Sequence, residues 1–264
     1  MAAALGVLAS CGSVKSGEDA IAASRDSKVV VAYVTSWSDV MPDPQCMTHI
    51  NYAFGHVNES FNGVKIDNEE RLKQIVDLKK QKPDLKVLLS IGGWGSGRFS
   101  EMAANDEYRR AFAVDCERVV EEFALDGIDI DWEYPTSSMA NISSSPDDTE
   151  NFTLLMQDIR AAIGNEKELT LATVASARYI DFKAILPSVD FVNIMAYDMA
   201  SAPKHHSALY PSGHSGDITS DGAVTAHLKA GVPPSKPVMG MPFYGRGGDG
   251  YPSFQDYNKV GNTD

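Results

Sequence analysis

Short apolar runs alternate with amphipathic segments along the chain from residue 28 onward. The apolar runs are nearly continuous and rich in β-branched residues, as expected of parallel strands that are covered on both faces. Seven strands are predicted, at residues 29–34, 49–57, 86–91, 127–132, 169–174, 191–195 and 237–241. Apolar residues recur at helical spacing between them, which predicts helices at about 68–80, 106–123, 149–163, 182–186 and 220–229.

Repeated strand–helix units predict an α/β fold, either a doubly wound open sheet or a (β/α)8 barrel. Polar or aromatic residues follow the carboxyl ends of several predicted strands, namely Trp37, Gly92, Gly93, Trp94, Glu133, Tyr197, Asp198 and Tyr244. Residues from many strand ends meet at the mouth of a barrel, whereas an open sheet concentrates its site at one crevice. We therefore predict a (β/α)8 TIM barrel.

The number of strands is one short of this prediction, because a closed barrel needs eight. The last twenty residues are rich in Gly, Tyr and polar residues and contain no convincing strand. An unclosed barrel would leave two exposed sheet edges. We therefore expect a barrel truncated after strand 7, in a chain that is a fragment of a longer protein.

Residues 126–133 read Asp-Gly-Ile-Asp-Ile-Asp-Trp-Glu and place four acids close together. Side chains alternate faces in a strand, so Asp129, Asp131 and Glu133 project from one face and the apolar residues project from the other. Like charges in a row repel one another, and their burial is costly unless some are protonated or hydrogen-bonded. Such an arrangement indicates acid–base chemistry.

The same residues match the DxxDxDxE signature of family 18 glycoside hydrolases, the chitinases. Three further segments of the family pattern follow in the right order: residues 90–94 (Ser-Ile-Gly-Gly-Trp), 195–198 (Met-Ala-Tyr-Asp) and 240–246 (Gly-Met-Pro-Phe-Tyr-Gly-Arg). The chain resembles this family from roughly Val29 to Arg246. The resemblance implies a retaining mechanism in which the substrate supplies its own nucleophile.

On this resemblance Glu133 is the general acid, and burial with neighbouring carboxylates would raise its pKa. Asp131 would orient the N-acetyl group of the sugar and stabilise the positively charged oxazolinium intermediate. Asp129 would share a proton with Asp131. We expect a structural role for Asp126, through hydrogen bonds in the barrel interior.

The resemblance also implies that Tyr197 and Asp198 contact the N-acetyl group. Met195 lies in an apolar strand, so it is either a core residue or part of the pocket wall. The hydroxyl of Ser90 either reaches the acid row or is simply buried. Gly92–Gly93 would permit close backbone packing at the barrel mouth.

Aromatic rings are the natural platforms for sugar rings. Trp94 is the strongest candidate for substrate binding, since it lies just past the third predicted strand. Trp37 and Tyr244 are weaker candidates, because each could instead pack under a loop. Trp132 shares its face with isoleucines and is expected in the core, whereas Tyr134 fits either role.

The net charge of −13 argues against a nucleic-acid surface, which needs clustered Lys and Arg. Neither Cys46 nor Cys116 has a second Cys at ligand spacing, and adjacent His205 and His206 are expected to be solvated. We expect no metal and no cofactor. We also expect a monomer.

Residues 1–27 are predicted to be a leader and flexible tether, and residues 28–264 the catalytic barrel. The leader contains a short apolar run that ends in Leu8-Ala9-Ser10-Cys11 and resembles a bacterial lipoprotein processing site, although no Lys or Arg precedes it. We expect export, either as a secreted protein or with a lipid anchor through Cys11.

The expected partner is chitin or an N-acetylglucosamine oligosaccharide, cleaved at its β-1,4 bonds. Two alternatives use the same fold. One is a catalytically silent chitin-binding lectin, although such relatives usually lose the acid that Glu133 provides. The other is an endo-β-N-acetylglucosaminidase acting on N-glycans.

Overall fold

The computed structural model of the protein describes residues 28–246. Seven parallel strands form one sheet: β1 (Val31–Thr35), β2 (His49–Val57), β4 (Lys86–Gly92), β5 (Gly127–Asp131), β6 (Glu168–Val174), β7 (Phe191–Met195) and β8 (Pro237–Met239). A short strand, β3 (Val64–Ile66), pairs antiparallel with β2. The predicted leader, with Cys11, lies outside the described residues.

Six α-helices lie along the described chain: α1 (Glu69–Val76), α2 (Phe99–Ala104), α3 (Asp106–Glu122), α4 (Asp148–Ile163), α5 (Phe182–Ile185) and α6 (Ser220–Lys229). Polar side chains cap several of them. The Asn105 side chain accepts hydrogen bonds from the first turn of α3, and Thr219 does the same for α6. Among residues 28–246, none of the helices has both the length and the apolar character needed to cross a bilayer.

The parallel strands pair in the order β1-β2-β4-β5-β6-β7-β8, which follows their order along the chain. A doubly wound sheet would reverse this order at some point. The uninterrupted order confirms the barrel architecture over seven strands. Among the parallel strands within residues 28–246, β1 and β8 lie at the two edges.

All seven predicted strands and all five predicted helices are present. The sequence did not predict β3 or α2. Helix α2 has only 6 residues, and Arg98 precedes it with a positive φ of 72° and no side-chain capping hydrogen bond. The usual signals for a helix start are therefore missing from its sequence.

The apolar face of β5 packs beneath the surrounding helices. Ile128 and Ile130 are fully buried, and Trp132 is 3% exposed. The Trp132 ring stacks on Phe99 at 5.3 Å and meets Phe152 edge-on at 5.6 Å. Trp132 is thus a core residue, as predicted, and the acids alternate with a well-packed apolar row.

Charged side chains close the amino ends of three strands. Glu168 begins β6, and its carboxylate lies 2.9 Å from His49 Nε2 at the start of β2. Lys86, at the start of β4, pairs with the other oxygen of the same carboxylate. Burial favours a raised pKa for Glu168, but pairing with His49 and Lys86 outweighs it and lowers the pKa.

Candidate active site

Asp129 lies in the middle of β5, and its carboxylate is fully buried. One oxygen accepts hydrogen bonds from the Tyr33 hydroxyl at 2.9 Å and the Ser90 hydroxyl at 2.7 Å. The other accepts from the Thr170 hydroxyl at 2.5 Å and the Asn193 amide at 3.2 Å. Burial raises the pKa of Asp129, while these four hydrogen bonds oppose the rise. Asp129 is therefore held by donors from four strands.

Asp131, two residues further along the same face, is 5% exposed. Its Oδ1 atom has no hydrogen-bond partner among the described residues. Burial raises its pKa well above the usual range, and the charges of Glu133 and Asp129 add to the rise. The neutral form of Asp131 is thus favoured up to a higher pH than that of an ordinary aspartic acid. The proton shared between Asp129 and Asp131 stays a prediction.

Glu133 follows the end of β5 and is partly buried at the carboxyl edge of the sheet. Burial raises its pKa, a hydrogen bond with Tyr134 lowers it, and the charge of Asp198 raises it, with a net upward shift. The predicted elevation is therefore confirmed. A carboxyl that remains protonated closer to neutral pH is suited to act as a general acid.

Tyr197 and Asp198 follow the end of β7 and face the same region. Burial raises the pKa of the Tyr197 hydroxyl, and the negative charge of Asp131 raises it further. Asp198 accepts a hydrogen bond from the Tyr244 hydroxyl at 2.9 Å and two from the Arg246 guanidinium at 2.6 and 2.5 Å. Burial alone would raise the pKa of Asp198, but these partners lower it. The two pKa shifts thus favour the ionised form of Asp198 and the protonated form of the Tyr197 hydroxyl.

A double glycine brings β4 against the acid-bearing strand. The Gly93 N–H donates to the Asp131 carbonyl at 2.9 Å, and a Cβ atom on Gly92 would lie 2.0 Å from that carbonyl oxygen. Both residues have positive φ values, 130° for Gly92 and 91° for Gly93. The close packing predicted for Gly92–Gly93 is present, because only glycine fits here.

The sequence profile described as "Glycosyl hydrolases family 18" matches residues 29–260. The chain belongs to this family. The family 18 chain is similar to chitinase A1 from Niallia circulans, with 31% identity over 88% of this chain and 44% of that protein. It is also similar to chitotriosidase-1 from Mus musculus, with 34% identity over 82% of this chain and 53% of that protein. It spans about half the length of these curated relatives.

Solved structures of family 18 members have the same fold. The chitinase domain of the spore coat protein CotE from Clostridium difficile has a TM-score of 0.79 and 38% identity, over 83% of this chain and 66% of that chain. A family 18 N-acetylglucosaminidase from Paenibacillus barengoltzii has a TM-score of 0.76 and 39% identity, over 82% and 68% of the two chains. The resemblance predicted from the four sequence segments is thereby confirmed.

Aromatic side chains line the strand ends around the family 18 acids. Trp94 is 62% exposed and Trp37 is 70% exposed, which leaves their rings open to a ligand. The Tyr134 ring meets Trp94 edge-on at 6.4 Å and stacks on Tyr179 at 5.3 Å. Trp94, Tyr134 and Tyr179 therefore form a continuous aromatic row, of which the sequence did not predict Tyr179.

Asp126 belongs to the acid signature but lies at the opposite end of β5. Its carboxylate accepts a hydrogen bond from the Val87 N–H at 2.7 Å and pairs with Lys79. The side chain is 29% exposed. The hydrogen-bonding role was predicted, but its location in the barrel interior was wrong. Asp126 precedes β5 and reaches the neighbouring strand β4 from outside the barrel interior.

His206 was expected to be solvated, and this was wrong. Its ring stacks on Tyr244 at 5.4 Å, and its Nδ1 atom lies 3.3 Å from the Asp198 carboxylate. The loop after β7 folds back over the site and brings His206 there, which adjacency to His205 could not indicate. Within residues 28–246, no cluster of three His, Cys, Asp or Glu side chains could hold a metal ion.

Three donors to Asp129 were not predicted, namely Tyr33, Thr170 and Asn193. Each lies within a predicted strand, and Thr170 is paired directly with Asp129 in the sheet register. The inward-facing polar positions could have been found from the alternation along each strand. Ser90 was a candidate and does reach the acid row. Met195 is partly buried at the end of β7, so both interpretations of this residue remain predictions.

Proposed function

We propose that the protein hydrolyses β-1,4-linked N-acetylglucosamine in chitin or its oligosaccharides, with Glu133 as the general acid. The observation that carries this proposal is the raised pKa of Glu133 at the open end of β5, beside a buried Asp131 whose Oδ1 atom has no hydrogen-bond partner within residues 28–246. Relatives named as chitinases support the choice of substrate. The exposed rings of Trp94 and Trp37 are suited to stack on sugar faces.

In the first step of the proposed reaction, Glu133 donates its proton to the glycosidic oxygen as the bond to the anomeric carbon breaks. The carbonyl oxygen of the sugar's own N-acetyl group attacks that carbon and forms an oxazolinium ion. The positive charge that develops favours the ionised form of Asp131, whose proton passes to the neighbouring Asp129 carboxylate, and the ionised Asp131 then stabilises the intermediate. The pKa shift of Asp131 therefore fits a carboxyl that ionises when a cation forms next to it.

In the second step, the Glu133 carboxylate accepts a proton from the water that attacks the anomeric carbon. The oxazolinium ring opens, and the configuration at that carbon is retained. Tyr197, whose hydroxyl has a raised pKa, remains a hydrogen-bond donor and can hold the N-acetyl oxygen in place. The same carboxyl thus serves as acid and then as base.

The proposal is tested by the Glu133→Gln variant of the full-length protein with chitotetraose, whose sugar leaving group must be protonated. Loss of the proton donor should lower kcat by about 10²–10⁴-fold. Glu121→Gln is the matched control, since Glu121 is exposed on α3. A Glu133→Gln variant that turns over substrate as fast as this control would refute the proposal.

Product analysis with the wild-type full-length protein distinguishes the proposal from its alternatives. Chitin hexamers and an N-glycosylated protein are supplied in parallel, and the products are identified by mass. Cleavage of the hexamer supports the proposal, whereas cleavage of the glycoprotein alone supports an endo-β-N-acetylglucosaminidase. Retention on chitin without any product supports the lectin.

A further inference from the structure

Asp148, the first residue of α4, is a carboxylate outside the acid signature, and its side chain is completely buried. Its Oδ1 atom accepts a hydrogen bond from the Ser100 hydroxyl at 2.7 Å. Its Oδ2 atom accepts from the Thr136 N–H at 3.1 Å and the Ser145 N–H at 2.7 Å. One side chain thus joins α2, α4 and both ends of the loop that follows Glu133.

This loop needs an anchor close to the proposed acid. Thr136 lies three residues after Glu133 and has a positive φ of 61°, an unfavourable conformation for a β-branched residue. The Asp148 carboxylate binds the N–H of this residue, so it fixes the backbone where the chain leaves the site. Removal of the carboxylate leaves two loop N–H groups without their acceptor.

The next residue of α4 fixes the other side of the same region. The Thr149 hydroxyl donates to the Tyr179 carbonyl at 2.9 Å. The Tyr179 ring stacks on Tyr134 at an interplanar angle of 16°. Because Tyr134 is bonded to Glu133 along the chain and shares a hydrogen bond with it, the start of α4 constrains Glu133 from two directions.

We propose that Asp148 is a positioning residue that holds the Glu133–Thr136 segment in the geometry needed for proton donation. Thr149 supports the same segment through Tyr179. The inference rests on the proposed function of Glu133 but adds residues that do not touch the reacting atoms. Its physical basis is that proton transfer requires the donor within hydrogen-bond reach of the leaving oxygen.

Two substrates separate a positioning role from a general loss of folding. Chitotetraose has a sugar leaving group that must be protonated, whereas the 2,4-dinitrophenyl glycoside of chitobiose releases a stable anion without an acid. In the full-length protein, Asp148→Ala should lower kcat/KM on chitotetraose by about 10–100-fold. On the dinitrophenyl substrate kcat/KM reports a bond-breaking step that needs no proton from Glu133, so the loss should be less than about threefold.

Three variants serve as comparisons. Asp147→Ala alters the neighbouring exposed acid, which makes no side-chain capping hydrogen bond, and should match the wild type on both substrates. Asp148→Asn should stay within about threefold of wild type, since its amide can accept from the loop and donate to Ser100. Thr149→Val should show the same substrate dependence as Asp148→Ala, with a smaller loss.

An equal loss on both substrates would overturn the inference, because a structural defect lowers the folded fraction for both alike. Unchanged activity on chitotetraose would overturn it as well. If Asp148→Ala does not fold, the losses of Thr149→Val on the two substrates are compared instead, and a larger loss on chitotetraose supports the inference.

A crystal structure of Asp148→Ala gives a readout that does not depend on activity. Displacement of the Tyr134 ring from the Tyr179 ring supports the inference, and an unmoved ring overturns it. Failure of the wild type to cleave either substrate would instead refute the proposed function.

Discussion

The two ends of the barrel use carboxylates in opposite ways. At the amino end, Glu168 lies between His49 and Lys86, and its pKa is lowered. At the carboxyl end, Asp131 and Glu133 have raised pKa values, and burial is the largest cause of each shift. Glu168 stabilises the fold in its ionised form. The raised pKa values of Asp131 and Glu133 instead favour their protonated forms, which can take part in a reaction with substrate.

The acid signature is therefore not one functional unit. Asp126 and Glu133 belong to the same eight residues, yet they lie at opposite ends of β5. Asp126 has a cationic partner, as Glu168 has, and lies outside the barrel interior. Chemistry and stability are thus divided between the two ends of a single strand, as is usual for barrels of this kind.

The largest effect is expected from Asp131→Asn at the mouth. The variant cannot ionise, so it cannot stabilise a positive intermediate, and kcat should fall by about 10²–10³-fold. Thermal unfolding should show no loss of stability at neutral pH, since the neutral side chain suits the buried site. If Asp131→Asn lost both stability and activity, the assignment of catalysis to the carboxyl end and stability to the amino end would be wrong.

A reciprocal result is expected from Glu168→Gln at the base. Loss of the charge between His49 and Lys86 should lower the free energy of unfolding by about 1–3 kcal/mol. The kcat of the folded enzyme should not change, because Glu168 does not face the mouth. Glu166→Gln, at an exposed position two residues earlier, is the matched control and should leave the free energy of unfolding unaltered. Chemical denaturation combined with active-site titration measures both quantities.

The pH dependence of stability should have opposite signs at the two ends. The raised pKa of Asp131 gives stability that is complete below its unfolded value of about 3.9 and is lost as pH rises through the folded pKa. The lowered pKa of Glu168 gives stability that is present above about 4.3 and is lost as pH falls through the folded pKa.

Urea unfolding of both variants from pH 3 to pH 8 tests these signs. The stability of Asp131→Asn relative to wild type should increase steadily toward the upper end of this range. The deficit of Glu168→Gln should shrink below about pH 4, where the wild-type carboxylate becomes protonated. Parallel curves for the two variants would contradict the assignment of the pKa shifts.

The smallest effect is expected from Asp126→Asn. The variant weakens the pairing with Lys79 and the hydrogen bond from the Val87 N–H, which should lower the free energy of unfolding by about 0.5–1.5 kcal/mol. Activity should remain close to that of wild type. A loss of turnover comparable to that of Asp131→Asn would mean that the whole signature acts in catalysis.

Local patterns were sufficient to predict most of this architecture. The parallel strands are continuous apolar runs, and the acids of β5 alternate with isoleucines, so the direction of each side chain followed from strand geometry. The elevated pKa of Glu133 followed from its burial close to other carboxylates. The resemblance to the family supplied the roles of the acids, which residue patterns alone indicated only as acid–base chemistry.

Features that depend on distant parts of the chain could not be predicted. Alternation identifies Tyr33, Thr170 and Asn193 as inward-facing, but it does not show that they reach Asp129. That contact depends on strand register, which is set by the packing of the whole sheet. His206 reaches Asp198 because a loop folds back. The direction of Asp126, by contrast, could have been predicted, because strand alternation puts it on the outer face with Ile128 and Ile130.

The four hydrogen bonds to Asp129 have a consequence for dividing the chain into fragments. Tyr33 and Ser90 precede the acid in sequence, whereas Thr170 and Asn193 follow it. A cut between β5 and β6 separates the carboxylate from both donors to its Oδ1 atom, which makes it more costly to bury. Reassociation of two such fragments would bring Thr170 and Asn193 back to Asp129 together. The state of the Asp129 carboxylate would therefore indicate whether the two halves of the chain have reassembled.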